Sequence, residues 1–417
     1  MEVIHERCCG LDVHKDTVVA CLRIATGKEV SREIRSFGTL TKSLLALADW
    51  LEENKVTQVA MEATGVYWKP IWHVLSACFT LILANPAHIK NVPGRKTDVK
   101  DAQWIADLLA HGLIEASFVP EEPILELRNL TRARKQLINE RSRHVQRIQK
   151  TLQDANLKID SFISDIMGKS GRAFLEAIIA GETDPDKLVV HADYRLKAKR
   201  EDLVEALRGR ITGHHRFMIR THLGLVDSLG KALQDIEAEV AALLEPFRHQ
   251  IELLTTMPGL SETSAHVILA EIGFDMGRFP TANHLISWAG LCPRCDESAG
   301  KRRSTRIRPG DPWLKETLVQ CAWAAVRSRD SHFAAMFHRI KVRQGAKKAI
   351  VAVAAEMLRS AWHMLSRDEV YIAPVDPKDD PVRREREARR LVRKLQELGY
   401  NAEILQPASV APRAVSE

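Results

Sequence analysis

What most limits the fold is the order of β-rich and helical runs over residues 7 to 115. CCGLDVH and TVVACLRI are β-rich and are separated by Lys15-Asp16, a short hairpin signal. SREIRSF alternates like a third strand. TKSLLALADWLEEN then spaces its apolar residues as a helix does. TQVAMEA reads as a fourth strand, with a helix from near Tyr67 behind it, and FTLILANP as a fifth. A last helix is expected from about Asp101 to His111. The order is βββαβαβα: three antiparallel strands, then βα units.

That is the order of an RNase H-like fold, whose first and fourth strands are neighbours at the sheet centre. Asp12, within GLDVHKD, falls in the middle of the first strand, where a charge is costly unless compensated. Glu62, within MEATG, falls at the end of the fourth. Asp98 and Asp101 stand three apart at a helix start, in GRKTDVKDAQWIADLL. Alone, that pair reads as a helix cap and a first-turn acid. Residues three apart are also neighbours on a helix face. Two carboxylates about 4 Å apart repel by roughly 4 kcal/mol at an effective dielectric of 20, and a divalent cation reverses that sign. Topology predicts that Asp12, Glu62, Asp98 and Asp101 meet. Carboxylate cages suit Mg²⁺, with Mn²⁺ as an alternative. Two such ions about 3.5–4 Å apart can activate a nucleophile and stabilise a leaving oxygen on phosphorus. Asp16 is explained by the hairpin, and Asp107 reads as a surface residue.

The chain has 417 residues, more than one core usually holds. Four parts are expected: residues 1–118, 119–250, 251–366 and 367–417. The first is α/β and the others are helical. In the second, LRNLTRARKQLINERSRHVQRIQKTLQDAN and HLGLVDSLGKALQDIEAEVAALLEPF have apolar positions at three- and four-residue steps. They predict an antiparallel coiled coil, a spacer and dimerisation arm, with less regular chain near 160–200 between. Its first helix is Arg-rich enough to touch a nucleic-acid backbone. In the third part, Pro258-Gly259-Leu260 reads as a helix–hairpin–helix-like turn, whose N–H groups can bind a phosphate. A polar, basic loop follows, DESAGKRRSTRIR, with Lys301, Arg302, Arg303, Arg306 and Arg308 set to hold phosphates. Ser298 lies in it beside Glu297, with no base evidently paired to it. On these residues alone the loop is a nucleic-acid-binding loop with an idle serine. The fourth part is a Pro- and Asp-rich linker, a charged helix and a tail, to which no chemistry is assigned.

Lys and Arg total 61 against 54 acids, a net charge of +7 that points only weakly to a polyanion. No stretch approaches a membrane span and the start lacks a signal-peptide core, so a cytoplasmic protein is expected. Seven Cys fit a reducing compartment. Cys292 and Cys295 have no partners at zinc-ribbon spacing and read as core or turn thiols.

GLDVHKD, MEATG, the Asn-Pro after the fifth strand and RKTDVKDA together resemble the RuvC-like, DEDD-type domain of the insertion sequence 110 family of transposases. MPGLSETSA, FPTANHLISWAGLCPR, ESAGKRR and GDPWLKETL are similar to that family's C-terminal transposase domain. The resemblance spans roughly residues 7 to 365. It implies that Asp12, Glu62, Asp98 and Asp101 are the DEDD acids and bind Mg²⁺. It implies a catalytic serine in a Glu-Ser-Gly context, forming a covalent phosphoserine link to DNA. The matching residue is Ser298, although Ser298-Ala299-Gly300 departs from the Ser-Gly pair, so Ser304 is held in reserve. It also implies double-stranded DNA at element ends and target as substrate, a circular intermediate, a structured non-coding guide RNA and at least a homodimer. Two other readings compete. One is a RuvC-like metal-dependent endonuclease with water as nucleophile. The other is a non-catalytic nucleic-acid-binding protein.

Overall fold

The structure is a computed structural model. It describes residues 2–27, 29–91, 101–194, 196, 198–293, 296–298, 301–304, 306–308, 310–328, 331–374, 381–401 and 403. The chain forms two compact units, Met1–Glu121 and Glu122–Glu417.

The first unit is built on β1 (Arg7–Val13), β2 (Thr17–Thr26), β3 (Glu29–Gly38), α1 (Thr41–Glu53), β4 (Gln58–Glu62), α2 (Trp68–Leu75), β5 (Thr80–Ala84), α3 (Pro86–Asn91) and α4 (Asp101–Ala110). The sheet order is β3-β2-β1-β4-β5. β1, β2 and β3 are antiparallel, while β4 and β5 run parallel to β1. This mixed sheet, with a helical second unit, fits an α/β RNase H-like domain followed by helical chain. The strands alternate between two cores, because successive side chains take opposite faces. Cys9, Leu11, Val13, Val59 and Met61 pack with α1 and α2 through Leu44, Leu47, Ile71 and Leu75. Cys8 and Ala60 pack with α3 and α4 through Ile89, Ile105, Leu108 and Leu109. α3 was not expected. Pro86 is its first residue, where a missing N–H leaves nothing unsatisfied.

The second unit begins with α5 (Glu122–Asp154). α6 (Lys169–Ala180), α7 (Pro185–Leu188) and α8 (Arg200–Ala206) precede α9 (Gly213–Leu244). α5 and α9 pack antiparallel: Arg134 meets Glu237, His144 meets His222 and Asp154 meets His215. The chain between them is not loose. Phe174, Leu175 and Ile178 of α6 join Ile148 and Leu152 of α5 and Ile219 and Leu223 of α9 in one core. α9 starts sharply because the Thr212 hydroxyl accepts from the His215 N–H while the His215 ring accepts from the Thr212 N–H.

Next come α10 (Arg248–Thr255), α11 (Glu262–Ile272), α12 (Ala282–Trp288), β6 (Asp296–Ser298), β7 (Lys301–Ser304), α13 (Pro312–Arg327), α14 (His332–Gln344), α15 (Ala346–Arg367) and α16 (Pro381–Glu397). α15 is the central helix, burying Ile350, Val353, Met357, Leu358 and Met364 among α10, α12, α13 and α14. Among the described residues, no helix is long and apolar enough to cross a membrane.

Candidate active site

Leu11 of β1 pairs with Met61 of β4, so the next residues along these parallel strands are Asp12 and Glu62. Asp12 shares its face with Gly10 and Cys8, and Glu62 shares its face with Ala60. Both therefore belong to the face that α4 covers. Asp12 is not mid-strand as expected. It is the residue before the end of β1, a quarter exposed, with the His14 Nε2 3.3 Å from its Oδ2. Its charge is thus partly solvated.

Asp101 is the first residue of α4. The neighbouring turn of that helix rests directly on β1. A Cβ on Gly10 would lie 2.4 Å from the Ala102 carbonyl oxygen and 2.4 Å from the Ala106 nitrogen. Only a glycine lets the helix backbone approach the strand so closely. Three of the four sequence-predicted acids are thus carried to one side of the sheet, at the carboxyl ends of β1 and β4 and the start of α4. Asp98 lies outside the described residues. Among the described residues, no group of three or more His, Cys, Asp and Glu side chains is placed to hold a metal.

Asp107 of α4 is not a surface residue. The Arg23 Nε of β2 donates to its Oδ1 at 3.0 Å, and the Arg32 Nη2 of β3 donates to the same oxygen at 2.9 Å. Arg23 is 3 % exposed. The pair pins α4 across the antiparallel strands. Burial pushes the Cys8 and Cys21 thiols beside it up to about 11, so they are protonated core groups.

The expected loop around Ser298 is a β-hairpin. β6 and β7 are antiparallel, with Ser298 opposite Lys301, Glu297 opposite Arg302 and Asp296 opposite Ser304. Ser298 ends β6 at the turn, and residues 299 and 300 lie outside the described residues. Arg303 is also in β7. Ser304 is at the far end of the hairpin, and its hydroxyl accepts from the Arg306 N–H at 3.2 Å. That bond gives Ser304 a turn-holding role. Arg306 and Arg308 are exposed past the strand. The base of the hairpin is closed by Pro293 bridging to Ile307 and by two glycines. Gly290 and Gly310 both have positive φ, and a Cβ on Gly310 would lie 2.5 Å from the Gly290 Cα. Sequence reasoning passed over these glycines, although both stand in the quoted motifs.

Gly259 has a packing role that was not anticipated. Its φ is +86°, and a Cβ there would lie 2.5 Å from the Ala325 nitrogen of α13. The arginines of α5 were also misjudged in part. The Arg132 guanidinium donates to both Glu271 oxygens, at 2.8 and 2.7 Å, and Arg128 lies 3.1 Å from the same carboxylate. Glu271 of α11 is 0 % exposed. Burial pushes its carboxyl up, and the two guanidiniums oppose that.

Two family models match the chain. One, described as a transposase of the DEDD type of insertion sequence 110, matches residues 9–157. The other, described as "Transposase IS116/IS110/IS902 family", matches residues 251–338. Together they cover more than half of the chain. The transposase for insertion sequence element IS1111A of Coxiella burnetii is 23% identical over 375 residues, 87% of this chain and 90% of that protein. The IS900 uncharacterized 42 kDa protein of Mycobacterium paratuberculosis is 26% identical over 325 residues, 70% of this chain and 80% of that protein. The IS110 uncharacterized 43.6 kDa protein of Streptomyces coelicolor is 37% identical over 95 residues, 22% of this chain and 23% of that protein. A DEDD transposase domain implies dependence on a divalent metal. Asp12, Glu62 and Asp101 are hard oxygen donors of the type such an ion takes, and they lie on one side of the sheet. The motifs, the mixed sheet and both family models agree: the chain belongs to the insertion sequence 110 family of transposases, and it is a DNA transposase.

Proposed function

We propose that this transposase cuts and rejoins DNA with Ser298 as nucleophile and Asp12, Glu62, Asp98 and Asp101 as the metal-holding acids. The observation that carries the reading is the placement of Asp12 and Glu62 side by side at the ends of adjacent parallel strands, on the face that α4 and its first residue Asp101 cover. Bound Mg²⁺, or Mn²⁺, would offset the repulsion among these carboxylates and draw charge from a phosphate. The chain's own part is to hold those oxygens on a rigid sheet and helix. In the second unit, the Ser298 hydroxyl forms a bond to phosphorus and one sugar–oxygen bond to that phosphorus breaks. The serine proton ends on the departing sugar hydroxyl. Lys301, Arg302, Arg303, Arg306 and Arg308 counter the phosphate charge around it. The Gly259 turn adds N–H groups for a flanking phosphate.

The partners we propose are double-stranded DNA at element ends and target, a structured guide RNA and a second copy of the chain. α5 and α9 serve as the coiled-coil spacer and dimerisation arm between the 1–118 and 251–366 parts. The site of action is the prokaryotic cytosol and nucleoid, where the DNA is.

Asp98→Asn tests whether the acids serve the serine step. Purified protein is incubated with labelled element-end DNA and Mg²⁺, then denatured. The variant should form no protein–DNA adduct although Ser298 is intact. Adduct formation at the normal rate would refute the link. Cleavage without any adduct in the unaltered protein would favour water as nucleophile.

A further inference from the structure

We infer that the tip where α14 turns into α15 grips the phosphate backbone of duplex DNA. Residues 331–355 contain no Asp or Glu, yet they hold Arg339, Lys341, Arg343, Lys347 and Lys348. Gly345, with a φ of +82°, is the single residue between the two helices. Lys341 and Arg343 in the last turn of α14 are thus carried to the same tip as Lys347 and Lys348 in the first turn of α15. All four are exposed and, among the described residues, none makes an ion pair.

Elsewhere in the second unit, cations are matched by acids: Arg132 by Glu271, Lys135 by Glu316, Arg172 by Asp227 and Arg359 by Glu356. Folding accounts for half of the tip. Lys341 and Arg343 suit the negative end of the α14 dipole, and the Lys341 Nζ lies 5.7 Å from the centre of the Phe337 ring. Lys347 and Lys348 do the opposite. They put two cations at the positive end of α15, whose first turn holds no acid. An anion from outside the chain would turn that repulsion into attraction.

The make-up of the tip selects its occupant. The cations are spread over two helix ends on an open surface, so one small anion would meet only some of them. A duplex carries a charge about every 1.7 Å of its axis and meets them all. Residues 339–348 include no aromatic ring on which an unpaired RNA base could stack. Val342, 88 % exposed, is their one large exposed apolar side chain, too little for a helix face that lies in a membrane. DNA is also the polyanion that a transposase handles. These residues lie outside both matched regions, 9–157 and 251–338.

The test uses the full-length protein and fluorescence anisotropy with a labelled DNA duplex across a salt series. Lys341→Gln, Arg343→Gln, Lys347→Gln and Lys348→Gln combined should flatten the slope of log affinity against log salt by roughly 3.6, four phosphate contacts. Lys347→Gln with Lys348→Gln alone should flatten it by roughly 1.8 and raise the thermal midpoint, which separates a lost contact from a lost fold. Lys42→Gln with Lys199→Gln removes two exposed charges elsewhere and should leave the slope as it is. A photo-crosslinking benzophenone residue in place of Val342 should label the duplex when an RNA stem–loop is present at equal concentration. An unchanged slope in the first two variants overturns the tip, while the serine and metal reading keeps its own adduct test. Label mainly on the RNA, or on neither, overturns the assignment to DNA.

Discussion

Gly10 of β1 and Ala106 of α4 meet backbone to backbone: a Cβ on residue 10 would lie 2.4 Å from the Ala106 nitrogen. This contact sets the height of α4 above the sheet and so the height of Asp101 relative to Asp12 and Glu62. Gly10→Ala should lift the helix. Overpacking of this kind costs about 1–3 kcal/mol. Mn²⁺ binding, followed by calorimetry, should weaken beyond what the fall in thermal midpoint explains. Unchanged Mn²⁺ affinity would show that the helix height does not matter to the acids.

Asp107→Asn should be more damaging than its position on a helix surface suggests. It leaves the Arg23 guanidinium buried without its counter-charge. The cost should be about 2–3 kcal/mol, below the full 3–5 for a wholly buried pair, because Asp107 is partly solvated. Urea unfolding measures it. A midpoint shift within error would show that water already satisfies Arg23.

Glu271→Gln should destabilise the second unit by about 2–3 kcal/mol, since Arg128 and Arg132 would lose their shared buried carboxylate, while Asp311 stays 3.1 Å from Arg132 and holds the cost below the full 3–5. The same unfolding curve reads this out. Exposed pairs such as Arg248–Glu252 should by contrast contribute less than about 1 kcal/mol.

His222 predicts how stability changes with acid. Its folded-state value is depressed, by burial first, so the unfolded chain takes up the proton before the folded one. Stability from this group is complete above the unfolded value of about 6.5 and falls as pH drops below it. His266 is depressed in the same direction, again by burial first. The thermal midpoint should therefore fall on acidification through this range, and His222→Gln should shallow the decline. A variant whose decline matches the unaltered protein would remove His222 from the cause.

Much of the first unit was legible because its apolar or alternating strands are separated by turn signals and by helically spaced runs. Asp12 and Glu62 could be found because a carboxylate interrupts an apolar run. Their sharing of one face follows from strand register alone. The hairpin at Ser298 was not legible. DES and KRRS carry no apolar alternation, so they read as loop, and their pairing depends on closure at Gly290 and Gly310. Asp107 was misplaced, and the ion pairing of Arg132 went unread, for another reason. Their partners, Arg23 and Glu271, lie 84 and 139 residues away in sequence. A helical periodicity tells which residues share a face, not which distant charge that face will meet.

The central claim is that Ser298 attacks DNA. Labelled element-end DNA is incubated with the protein, Mg²⁺ and RNA transcribed from the element flank, then resolved on a denaturing gel beside Ser298→Ala. The account predicts a protein–DNA adduct with the unaltered protein and none with the variant. An adduct in both lanes would contradict it and move the nucleophile elsewhere, first to Ser304.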